Sequence, residues 1–127
     1  MTGIYINCRA LPFVALILAG LKPWETRTRN MLGALCGQRV ALIETGRGPA
    51  MVRGYATITR AERISYNDTS ARRAAQILGT SYDIQPEGAK WFYRLENVEK
   101  CQPYPVPANR INHGRAWTEF TPAPRKN

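Results

Sequence analysis

Hydrophobic and polar positions along the chain change period several times, and each change predicts an element. Gly3 to Cys8 (GIYINC) is short, β-prone and bounded by polar residues, which predicts a first strand. Residues 13–19 (FVALILA) are apolar nearly all round, with Pro12 where a helix begins and Gly20 where one stops. That combination predicts a helix packed on most of its sides. Lys22 to Arg29 turns polar, and Pro23 disfavours a helical backbone at Lys22, so this stretch is expected to be extended.

Two further strands are predicted at 39–45 (RVALIET) and 51–60 (MVRGYATITR), joined by the turn-rich GRGPA. In the second, Val52, Gly54, Ala56 and Ile58 share a face against Arg53, Tyr55, Thr57 and Thr59. A glycine in mid-strand signals a bulge or a close neighbour. From 68 to 78 the helical period returns: Ala71, Ala74, Ala75 and Leu78 line one side and Gly79 ends the run. Strands are expected again at 91–98 (WFYRLENV) and 114–121 (GRAWTEFT). Between them Pro103, Pro105 and Pro107 predict a stiff excursion outside the sheet, and the tail PAPRKN should fray.

Strands outnumber helices and no strand–helix–strand alternation is present, which argues against a doubly wound sheet. The expected class is α+β: a small, mostly antiparallel β-barrel with two or three flanking helices. There is no internal repeat, so residues 1–121 are read as one domain and 122–127 as its tail. A chain of 127 residues can bury a sizeable core without staples.

Charge then changes the picture. Eighteen basic residues stand against nine acidic ones, giving a formal net charge of +9. Fourteen of the eighteen are arginine, the side chain whose planar fork suits phosphate. Such an excess favours a polyanionic partner, because each phosphate contact releases condensed counterions. Cys8, Cys36 and Cys101 are odd in number and far apart, and only His113 is a histidine. No metal site and no cofactor is expected, and a reducing cytoplasm is the natural home. The apolar run from Leu11 to Leu21 is about half of what a membrane crossing needs, so no membrane role is expected.

The densest mix of opposite charges follows that apolar run, in Gly20-Leu21-Lys22-Pro23-Trp24-Glu25-Thr26-Arg27. Coming after a strand and a helix, this segment resembles the G-x-K-x-x-E-x-R motif of the ASCH domain family, matched at Gly20, Lys22, Glu25 and Arg27. The resemblance extends to Ala41-Leu42-Ile43, to Gly54, and to Tyr93-Arg94-Leu95-Glu96-Asn97-Val98 with the prolines that follow. It covers most of residues 4–120 and is nearest in flavour to the small single-domain members, such as those similar to the endothelial-overexpressed lipopolysaccharide-associated factors. It implies a PUA-like barrel and a role in RNA or nucleotide biology. Some bacterial members are ribonucleases, or amidohydrolases acting on N4-acetylcytidine. This chain departs from the amidohydrolases at Glu25, where they carry a threonine, and offers no glutamate between Asp68 and Asp83 to match their helical one.

The candidate residues follow. Lys22 could grip a phosphate or, in a dry cleft, act as base or nucleophile. Glu25 could hold Lys22, accept from a base edge or activate water; a bridge to Arg27 is the structural alternative. If the protein is an enzyme, Lys22 and Glu25 are its catalytic pair. Arg27, Arg29, Arg47 and Arg53 are candidates for an anion-binding wall, and Thr45 for a hydroxyl at the same cleft. Trp24 and Tyr55 are candidates for stacking on a base, although aromatics in so small a fold more often close its core. The partner expected is RNA or a nucleotide. The oligomeric state is left open by the sequence, with a monomer favoured.

Overall fold

A computed structural model describes residues 1–68 and 88–122 of the chain. Seven strands form one sheet: β1 (Thr2–Asn7), β2 (Trp24–Arg27), β3 (Arg39–Thr45), β4 (Met51–Ser65), β5 (Ala89–Pro105), β6 (Ile111–His113) and β7 (Trp117–Glu119). Their spatial order is β2-β5-β4-β3-β1-β7-β6. Only β1 and β3 run parallel; every other pairing is antiparallel. The helix α1 (Phe13–Leu18) and a short 3-10 turn at Gly33–Leu35 complete the elements among the described residues. The helix expected over 68–78 lies outside the described residues, apart from Asp68 itself.

The sheet corrects one expectation. The fold is α+β and mostly antiparallel, but its ladder runs from β2 to β6 without closing into a barrel. The reason is local. β2 has only four residues and pairs with β5, while its approach to β1 consists of a side-chain bond from Arg27 to the Tyr5 carbonyl.

Two layers of apolar side chains alternate across the sheet, as a period of two requires. On one face Ile4, Ile6, Val40, Leu42, Ala56, Ile58, Tyr93 and Leu95 pack under Val14 and Ile17 of α1. On the other, Ala41, Ile43, Val52, Tyr55, Val106 and Phe120 make a second cluster. Gly54 does both things that a mid-strand glycine suggests. The β4–β5 register shifts between Val52 and Gly54, and a Cβ there would collide with the Glu99 carbonyl and lie 2.6 Å from Leu18 Cδ2.

The proline-rich linker is a second correction. Pro103 and Pro105 belong to β5, whose ladder with β4 continues to Met51↔Pro105. Beyond Leu95 only β4 flanks β5 among the described residues, so a proline's missing N–H can face the unpaired edge. The strand expected at 114–121 is present as the shorter β7, and β6, which the sequence reading did not expect, precedes it in a hairpin. β6 and β7 pair around Gly114, whose φ of 64° is the left-handed conformation that a tight turn demands.

Candidate binding site

The site begins where α1 ends. Gly20 adopts φ 77°, and the N–H groups of Leu21 and Lys22 both return to the Leu16 carbonyl, at 2.9 and 3.2 Å. This left-handed stop reverses the chain so that Lys22 folds back beneath the helix before β2 starts. Along β2, Glu25 and Arg27 lie opposite Tyr93 and Trp91, on the face of the main core. Trp24 and Thr26 alternate to the other face.

Lys22 is 4% exposed and Glu25 5%. The Lys22 ammonium donates to the Trp24 carbonyl, lies 3.7 Å from Glu25 Oε1 and sits 5.4 Å above the centre of the Phe13 ring. Glu25 Oε1 also accepts from the Thr26 N–H at 2.9 Å, and Oε2 meets Arg27 Nη2 at 3.2 Å. The same Arg27 nitrogen donates to the Tyr5 carbonyl at 2.5 Å. Two cations therefore share one carboxylate in a place nearly cut off from water.

The remaining candidates are distributed around this triad and away from it. Thr45 Oγ1 donates to the Ile6 carbonyl at 3.3 Å, and Arg47 Nε to the Cys8 carbonyl at 2.6 Å. With Arg27 on Tyr5, three of the candidates bind the backbone at the end of β1. Arg53 Nε pairs with Glu44 Oε1 at 3.1 Å. Arg29 is exposed. Trp24 stands on the opposite face, edge-on to Phe92, with the Arg60 and Arg94 guanidiniums 5.1 and 5.5 Å from its ring centre. Tyr55 belongs to the second core layer and shares a 2.7 Å hydroxyl bond with Tyr104.

Glu44 escaped the sequence reading. It is 8% exposed and extends the inward row Val40, Leu42 of β3. A carboxylate at i+2 from a buried apolar pair, on the core face of a strand, was the signal available for it. The Cys8 thiol feels the charge of both carboxylates. Burial pushes its thiol pKa up from the ordinary value of 9.0; the backbone N–H groups of Val14 and Phe13 oppose this, and the charges of Glu44 and Glu25 add to it. Burial likewise raises Tyr93, against N–H donation from Leu32 and Met31 and the charge of Arg27.

These two shifts set an alkaline limit on stability. Well below pH 9 both groups hold their protons whether the chain is folded or not. Above the ordinary values of 9.0 for Cys8 and 10.0 for Tyr93, the unfolded chain loses protons that the folded chain still holds. Stability is thus expected to be level up to about pH 9 and to fall as pH rises from there. Urea unfolding between pH 7 and 10.5 measures it, and Cys8→Ala should delay the fall towards the tyrosine range. A level profile throughout would contradict the burial of both groups.

Among the described residues no group of three or more His, Cys, Asp or Glu could hold a metal ion. No described helix is long and apolar enough to cross a membrane. No family model and no curated protein matches the chain. Solved structures do match. The ASCH protein from Zymomonas mobilis superposes with a TM-score of 0.69 at 18% identity, covering 94% of this chain and 87% of that one. A tyrosine-to-phenylalanine variant of the same protein gives 0.65 at 19% identity, over 94% and 90% of the two chains. At such identity the likeness shows the fold: the chain has the architecture of an ASCH domain.

Proposed function

We propose that this ASCH-fold chain binds RNA or a nucleotide in a basic cleft around Lys22, Glu25 and Arg27. The observation that carries the reading is the triad's charge: two cations on a single buried carboxylate. Cations gathered around one carboxylate beside the end of β1 would favour an anionic guest. Arg47 and Arg53, at the ends of β3 and β4, extend the same sign outward, and the chain's net charge of +9 would draw a polyanion to it. The resemblance of the G-x-K-x-x-E-x-R segment to the ASCH motif, and the shared fold, supply the class of guest. The three free thiols suit a cytoplasmic setting.

Binding of a labelled single-stranded RNA should weaken steeply with salt. If three cations reach phosphate, affinity falls on the order of twentyfold between about 50 and 200 mM salt. Affinity indifferent to salt over that range would overturn the proposal.

Hydrolysis is the second reading, and it has its own observation: a buried ammonium 3.7 Å from a carboxylate. Such a pair could activate water at a phosphodiester or at an acylated nucleoside. Incubating the protein with RNA oligomers and with N4-acetylcytidine, beside a Lys22→Ala control, separates the two. Turnover that disappears in the control supports hydrolysis; absence of turnover in a folded protein leaves binding.

A further inference from the structure

The two buried carboxylates of the site are not equivalent, and their hydrogen bonds say which can meet a guest. Glu25 is used up: Oε1 takes the Thr26 N–H and faces Lys22, while Oε2 takes Arg27. Glu44 is not. Its Oε1 meets Arg53 Nε at 3.1 Å, and among the described residues its Oε2 accepts nothing. Nor is that oxygen sealed in, since Arg110 Nε is the one described side-chain nitrogen or oxygen both sealed and without a partner. A carboxylate that is 8% exposed, with one oxygen neither bonded nor fully sealed, lacks an N–H donor that the fold does not supply.

Glu44 also stands in the right place. It pairs in register with Ile6, one residue from Tyr5, whose carbonyl binds Arg27. By its register with Ile6, and theirs with Tyr93 and Trp91, it shares the core face of the sheet with Glu25 and Arg27. Its partner Arg53 is well exposed on the outer side. Resting on the binding reading above, we propose that Glu44 is the specificity-determining residue: its open oxygen accepts an N–H from the exocyclic amine of a nucleobase. Cytosine, adenine and guanine carry that amine. Uracil has a carbonyl at the same edge, which a carboxylate repels.

The test compares labelled hexamers of cytidine and uridine by fluorescence anisotropy at one fixed salt concentration. The native chain should prefer the cytidine hexamer by about tenfold, the size of one hydrogen bond to a charged acceptor. Glu44→Gln keeps the shape and can turn either an oxygen or an amide to the base, so the ratio should fall to about one. Glu44→Asp keeps the charge but withdraws it, and should retain part of the preference if the glutamine variant folds poorly. A native ratio near one, or an unchanged ratio in Glu44→Gln, overturns the role of Glu44 while leaving RNA binding in place. Failure of both hexamers to bind at any salt overturns the binding reading, and the inference with it.

Discussion

Glu25→Gln is expected to destabilise the protein by about 3 kcal/mol, more than any other single change in the site. Glutamine preserves the volume but withdraws the one negative charge that Lys22 and Arg27 share. Breaking a buried pair by removing one partner typically costs about 3–5 kcal/mol, because a desolvated charge is left uncompensated. Arg27 lies further out and can recover some hydration, which places the expectation at the lower end. Lys22, 4% exposed and roofed by Phe13, cannot. For a domain of this size the loss corresponds to a fall in melting temperature of roughly 10–15 °C. Urea unfolding of the two proteins measures it. A Lys22→Met/Glu25→Gln double variant should recover part of the loss, since it removes the stranded ammonium together with its counter-charge. A cost below about 0.5 kcal/mol for Glu25→Gln would mean that the triad is not a coupled unit.

The route to that triad was only half legible in the sequence. Gly20 read correctly as the helix stop, and the stop determines where Lys22 goes. Strand alternation alone places Lys22 and Glu25 on opposite sides, because they are three residues apart. The structure escapes this because Lys22 lies before β2, in the left-handed reversal set by Gly20, so alternation does not govern it. The same alternation does govern Trp24, whose ring must leave Glu25 for the opposite face, and there it is occupied by Arg60 and Arg94. Neither arginine is near Trp24 in the chain, so only the β2–β5–β4 register could reveal that stack.

Long-range pairing accounts for the other misreadings. Prolines at 103 and 105 look like a break until β5 is seen to have a single neighbour at that point, which no local pattern encodes. A barrel and an open sheet share one alternating pattern; they differ in whether the ladder returns on itself. Four residues of β2 joined to β1 by a guanidinium instead of a ladder decide that question. Glu44 is the instructive case. Its position in the apolar row of β3 was visible, but its partner Arg53 lies beyond a turn.

Lys22→Met should have the opposite profile to Glu25→Gln: a small change in stability and a large change in binding. Methionine keeps an unbranched stem beneath the Phe13 ring, and Glu25 retains Arg27 and the Thr26 N–H as partners. Glu25 is therefore not stranded, so the stability cost should stay within about 1 kcal/mol. The guest, however, loses one cation of the site. A hydrogen bond to a charged group contributes about 1.5–3 kcal/mol, so affinity for single-stranded RNA should drop roughly ten- to a hundredfold. The slope of log affinity against log salt should flatten by about 0.7, the share of one cation on a single strand. Those two shifts belong together. A drop in affinity with an unchanged salt slope would show that Lys22 shapes the site without touching phosphate. Affinity equal to that of the native chain would place the guest elsewhere, most plainly on the opposite face, where Arg60 and Arg94 flank Trp24.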